Sequence, residues 1–194
     1  MSQVKESFWN EFVEYVSQFR VFSKGDWQYY ICWIGLMMGL FISTTAFLLM
    51  GHFHGVRYPA YVWNIPIGTA TFILAIALDT IGHRTRYKER LDKGEGFVHT
   101  ITIFLGISSI VLLCLGYSRP DFFRIPALVF MAMSIFYSIV DEWMHWGRYV
   151  AGESDRVEMW SHVFIFLGHI IMSLAWWHWF EQGYPGVSAT LFYF

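Results

Sequence analysis

Two aspartate–histidine pairs, Asp79-x3-His83 and Asp141-x3-His145, close long apolar stretches of this 194-residue chain. In a helix, residues i and i+4 stack on one face, so each carboxylate lies one turn from its imidazole. Each pair is followed by a further histidine near the start of the next apolar stretch, His99 and then His162. Glu142 precedes His145 by three residues, and His169 follows His162 by seven, about 10 Å farther along a helix. Neutral imidazoles supply nitrogen, carboxylates cancel charge and bridge ions, and helices hold both rigidly, a donor set that suits divalent metals. The expected ligands are Asp79, His83, His99, Asp141, His145, His162 and His169. Glu142 is the expected catalytic carboxylate, bridging ions or shuttling protons.

Asp79 follows the run FILAIAL and Asp141 the run SIFYSIV, neither of which contains a Lys or Arg. An ionisable group in hydrocarbon costs a few kcal/mol or more unless paired, so something positive is expected opposite both. The rival explanation is an interfacial ion pair: Asp79 with a snorkelling Arg84 or Arg86, and Asp141 with Arg148. His52, His54 and His178 read as interfacial or hydrogen-bonded residues, and Cys32 and Cys114 as small buried hydrophobes.

Mixed Asp/His ligation without thiolate favours iron, manganese or zinc over copper. Two iron ions are expected, with zinc as the alternative, and the chemistry this implies is oxidation of a lipid-soluble molecule such as a quinol, isoprenoid or acyl chain. Two other readings compete. One is a membrane zinc hydrolase using a metal-bound hydroxide, and the other an electron-transfer subunit holding haem b between histidines. A cation or proton transporter is a fourth, although such sites tend toward the bilayer midplane. The histidine boxes of membrane desaturases, H-x3-H and H-x2-H-H, are absent.

The elements that would position these groups follow from composition. The chain is 56% hydrophobic, 21% aromatic and only 14% charged, with a mean hydropathy of +0.41. With a formal net charge of −2 it has no basic surface for nucleic acid. An all-α, five-span transmembrane bundle is expected, with spans near 28–50, 60–81, 97–117, 122–146 and 159–180. Residues 1–24 read as an interfacial amphipathic helix, with Phe8, Trp9, Phe12, Val13, Tyr15, Val16 and Phe19 at helical spacing, ahead of a bundle over 25–194. Gly35-x3-Gly39 offers a close helix contact or a chance pair. Basic residues divide ten to three in favour of the N-terminal side, which predicts a multi-pass inner-membrane protein with a cytoplasmic N-terminus. Its expected partners are the lipid bilayer, a lipid-soluble substrate and a second copy or a membrane complex.

An offset of 62 residues aligns Asp79 with Asp141, His83 with His145, Arg86 with Arg148, Tyr87 with Tyr149, and Ile103-Phe104-Leu105-Gly106 with Ile165-Phe166-Leu167-Gly168. A duplicated helical hairpin over about 60–117 and 122–180 is therefore expected. His99 and His162 fall one residue out of register under that offset, a turn of about 100°, so the two units are expected to present them differently.

Overall fold

The computed structural model describes residues 7–87 and 93–194. These form seven α-helices: α1 Phe8–Ser17, α2 Lys24–Phe53, α3 Asn64–Arg84, α4 Lys93–Gly116, α5 Pro120–Ala151, α6 Arg156–Glu181 and α7 Val187–Leu191. Short 3-10 turns over Gln18–Val21 and Ala60–Trp63 lead into α2 and α3. Five of the helical stretches are long and apolar enough to cross a membrane, matching the expected number and order. The second expected span opens as the 3-10 turn and becomes α-helical only at Asn64.

Local chemistry sets the boundaries. Ser23 and Asp26 form a reciprocal capping box at the start of α2, which satisfies amide groups that the first turn cannot bond internally. α5 opens on Pro120 and ends at Gly152, whose φ of 76° lies in the left-handed region, where a side chain is disfavoured. Three residues later Asp155 caps α6 by accepting from Glu158 N at 3.0 Å.

The antiparallel path brings the N-termini of α2, α4 and α6 and the C-termini of α3 and α5 to one end. The Arg84 Nε to Asp26 Oδ1 contact of 2.9 Å ties α3 to α2 there. α1 lies across the same end, against α3 and α6. Its outer face carries Trp9 and Val13, and its inner face sends Tyr15 fully inside, against Ile81, Tyr87 and Val157. Glu11 pairs with Arg156, and Glu14 with Arg86. The amphipathic segment is thus anchored to the bundle by ion pairs as well as by its apolar face.

α3 packs along α6 and α4 along α5, with α2 on α3 and α5 on α6. Among the described residues, α4 makes no close backbone contact with α2 or α3. The first expected hairpin, α3 with α4, therefore does not pack as a pair, and helices from the two units associate crosswise. A close crossing sets Gly68 on α3 against Gly168 on α6: a Cβ built at Gly68 would lie 2.6 Å from Met172 N, and one at Gly168 2.6 Å from Phe72 N. Gly35 and Gly39 have open space around them and make no such contact.

The hydrophobic core fills the end away from α1, where Leu48, Val62, Ile65, Leu113, Trp176, Trp179 and Phe180 meet. The outer surface is itself apolar, with Ile31, Leu74, Phe104 and Phe136 all exposed. Cys32 and Cys114 are exposed too, contrary to the burial expected of them. On so apolar an exterior a thiol needs no shelter from its surroundings.

Candidate metal centre

Opposite the hydrophobic core, polar groups from four helices meet. Asp79 and His83 come from α3, His99 from α4, Asp141, Glu142 and His145 from α5, and His162 from α6. One ring nitrogen from each of His83, His99, His145 and His162 lies within 4.8 Å of the others, and Asp141, Glu142 and His162 form a second such group. The rings are crowded. His145 and His162 stack with centroids 3.2 Å apart, and His83 stands nearly perpendicular to His99 at 5.1 Å.

The Asp–His contacts run between packed helices as well as along them. Asp79 Oδ1 is 3.2 Å from His83 Nε2 one turn away and 3.0 Å from His162 Nε2 on α6. Asp141 Oδ1 is 2.9 Å from His99 Nε2 on α4 and 3.6 Å from His145 Nε2 one turn away. Each aspartate thus meets its own histidine and the later histidine of the other unit, through the same atoms. The one-residue slip does not make His99 and His162 inequivalent in this respect, as the sequence had suggested. Each belongs to an E-x3-H turn, Glu95 to His99 and Glu158 to His162, which recurs at an offset of 63. The connection between helices absorbs the extra residue before the second turn begins.

The expected arginine partners go elsewhere. Arg84 binds Asp26, and Arg86 divides between Glu14 at 2.7 Å and Asp155 at 2.9 Å. Arg148 Nη1 reaches Glu95 Oε2 at 2.7 Å, while its Nη2 lies 2.5 Å from Glu158 Oε1 and 2.6 Å from His145 Nδ1. Among the described residues the aspartates therefore face imidazoles, not guanidinium groups.

Glu95 and Glu158 were not among the expected site residues. Both are almost wholly buried, and Glu158 Oε1 lies 3.3 Å from His145 Nδ1 while Glu95 Oε1 lies 3.4 Å from His145 Nε2. Arg148 Nη2 donates to His145 Nδ1, so Nδ1 accepts there and the proton of neutral His145 sits on Nε2, facing the cluster and Glu95 Oε1. A cation bound at Nε2 would displace that proton, with Arg148 and Glu158 holding the ring from behind. The positions of Glu95 and Glu158 in the first turns of helices, among other charges, do not set them apart in the sequence. The repeated E-x3-H spacing was the available signal.

Glu142 Oε1 lies 3.5 Å from His162 Nδ1, at the edge of the cluster. His169 is not brought into it. Its Nε2 is 3.2 Å from Ser134 Oγ and its Nδ1 3.1 Å from Ser138 Oγ, both on α5. Ser134 donates to Thr102 O, so His169 Nε2–H donates to Ser134 and Nδ1 accepts from Ser138. Both nitrogens are used. His52, His54 and His178 lie at the far end, where His54 Nδ1 is 2.8 Å from Met50 O and His178 Nε2 is 3.1 Å from Gln182 Nε2.

The donor atoms fit bound cations. Among the described residues, both nitrogens of His83, Nδ1 of His162, Oδ1 of Asp141, Oε1 of Glu95 and Oε2 of Glu158 are buried without a hydrogen-bond partner. Asp141 Oδ1 accepts none even with His99 Nε2 at 2.9 Å, so the two atoms approach without the angles of a hydrogen bond. Each such orphan costs about 1–3 kcal/mol, and a shared cation satisfies several at once. Outside the cluster, Tyr87 donates from its hydroxyl to Asp155 Oδ2 at 2.9 Å. Burial first, then the carboxylates of Glu158 and Asp155, hold its phenol well above the ordinary tyrosine range.

A cavity of about 500 Å³ adjoins the cluster. Asp79, His83, His99, Asp141 and His162 stand at one end of it, and Ile110, Val111 and Met172 at the other.

No protein-family model, curated protein or solved structure matches this chain. The five apolar helices and the His/Asp/Glu group able to hold a metal ion define it on their own.

Proposed function

We propose that this chain is a membrane-embedded metalloprotein with a dinuclear centre, an iron-dependent oxidoreductase acting on a lipid-soluble substrate. The observation that carries the reading is the matched pair of cross-helix contacts, Asp79 to His162 and Asp141 to His99, at 3.0 and 2.9 Å. They supply ligands in equal sets from α3 with α6 and from α4 with α5, as expected if the two units arose by duplication. Charge supports two ions. Among the described residues, Arg148 is the guanidinium that reaches the carboxylates of Asp79, Glu95, Asp141, Glu142 and Glu158, through Glu95 and Glu158, and the four negative charges left over match two divalent cations.

In this reading the four imidazoles and two aspartates bind the ions. Arg148 fixes Glu95 and Glu158 behind them, and Glu142 moves protons beside His162. The bound ions supply activation of dioxygen or water. Iron is favoured over copper because the donors are oxygen and nitrogen and both cysteines lie outside the site.

The apolar exterior and five long helices support a bilayer location. The excess of basic residues near the site end supports a cytoplasmic N-terminus, with the centre just beneath that surface. A second copy or a membrane complex is the expected company.

A zinc hydrolase is the second reading, favoured by the three-residue group Asp141, Glu142 and His162, which by itself resembles a catalytic zinc site with an open position. Haem b fits less well, because four imidazoles within 3.2–6.3 Å of one another, centre to centre, leave little room for a porphyrin between any two. Elemental analysis and the optical spectrum of purified protein test the proposal. About two iron ions per chain without an intense Soret band is the expected result. One zinc ion per chain would favour the second reading, and a Soret band would defeat both.

A further inference from the structure

We infer that the cavity beside the metal centre is a lateral binding slot for a neutral, single-chain lipid, a long-chain alcohol or aldehyde, whose oxygen-bearing end reaches the cluster. This names the substrate class of the proposed centre and rests on that reading. The slot exists because α4 packs on α5 and makes no close backbone contact with α2 or α3. One wall is α2, with Leu36, and the other is α4, with Ile107 and Val111. All three side chains are also exposed on the outer surface, so the slot opens sideways. A ligand enters from the hydrocarbon, not from water.

Its dimensions and polarity select the occupant. At roughly the 30 Å³ that a water-sized unit occupies, about 500 Å³ encloses about sixteen carbons of one chain, a longer chain extending through the open mouth, and is too little for the two chains of a phospholipid. Partway along, His169, Ser134 and Ser138 line the wall and satisfy one another, which leaves the Thr102 hydroxyl as the one side-chain group there without a partner among the described residues, so most of the wall accepts an apolar chain. Unsatisfied donor atoms appear at the site end, on His83, Asp141 and His162. Arg84 also lines that end but is engaged by Asp26, so once divalent cations balance the carboxylates, no unpaired cation among the described residues faces the slot to receive an anionic headgroup, whose burial in hydrocarbon is costly. A hydroxyl or carbonyl meets no such penalty.

The test uses metal-loaded protein in nanodiscs, titrated with octadecanol carrying a nitroxide on its chain. Electron paramagnetic resonance is expected to show one immobilised probe per chain, displaced by unlabelled octadecanol, with labelled octadecanoate binding at least tenfold more weakly. Leu36→Trp and Ile107→Trp fill the mouth and are expected to weaken the probe at least tenfold with metal content unchanged. Phe136→Trp, exposed on α5 away from the slot, is expected to leave it unchanged. No immobilised component, equal binding by both mouth variants, or octadecanoate binding as tightly as octadecanol would overturn the inference. His145→Ala separates it from the metal reading. Metal-depleted protein that still immobilises the chain supports the slot. If that variant keeps its metal while wild type immobilises the probe, the metal reading falls and the slot stands.

Discussion

Asp79 on α3 and His162 on α6, eighty-three residues apart, meet with Oδ1 3.0 Å from Nε2. The contact is possible because Gly68 and Gly168 let α3 and α6 approach backbone to backbone, and the same helix pair then carries both groups toward the site end. A close crossing in the middle of the bundle thereby sets ligand geometry one helical segment away.

Removing an imidazole from the centre is expected to strip metal without unfolding the chain. His83→Ala and His145→Ala should each lose most of the bound metal by elemental analysis while retaining the helical circular dichroism of wild type. Unchanged metal content in both would refute the ligand assignment. His169→Phe, by contrast, should retain the full complement, because Ser134 and Ser138 already occupy its nitrogens.

Arg148 holds Glu95 and Glu158 in place behind His145. Arg148→Met leaves two buried carboxylates without their countercharge, at roughly 3–5 kcal/mol in the metal-free protein. Loss of such supporting contacts typically weakens metal binding about 10- to 100-fold. Thermal unfolding with and without added metal, together with a competitive chelator titration, measures both effects. Wild-type behaviour in the two assays would show that Arg148 is a surface charge only.

The helix crossing makes its own prediction. Gly68→Ala and Gly168→Ala each force a Cβ against backbone atoms that cannot move aside, so each is expected to cost about 1–3 kcal/mol or more and to lower metal occupancy as α3 and α6 separate. Gly39→Ala, in open space, should be neutral or stabilising by up to about 1 kcal/mol. Denaturation in mixed detergent compares the three variants, and equal stability among them would rule out the crossing.

Tyr87 gives the fold an alkaline limit. Its phenol is held above the ordinary range by burial and by Glu158 and Asp155, so its contribution is fully present below the unfolded tyrosine value of about 10 and is lost as the pH rises beyond it. Tyr87→Phe should be less stable near neutrality by about 1 kcal/mol, the worth of its hydrogen bond to Asp155, but should lose stability less steeply above pH 10. Parallel slopes for variant and wild type would contradict this.

The sequence by itself determined the helices, their order and the end at which the chemistry collects. Apolar runs of sufficient length have one regular solution, and Asp79, His83, Asp141 and His145 stand out because ionisable residues beside such runs are costly and therefore few. The positions of His99 and His162 at the start of the following helices then placed four imidazoles at one end through antiparallel connectivity alone. Glu95 and Glu158 were hidden because a glutamate in a first helical turn satisfies the helix dipole wherever it lies, and only burial against Arg148 and His145 distinguishes these two. Which helices pair was also beyond periodicity. A helix with apolar residues on every side does not name its neighbour, so the crosswise association of α3 with α6 and α4 with α5, the satisfied isolation of His169, and the slot left beside α4 were decided by packing: two glycines that permit contact at one crossing, and the absence of close backbone contact between α4 and α2 or α3.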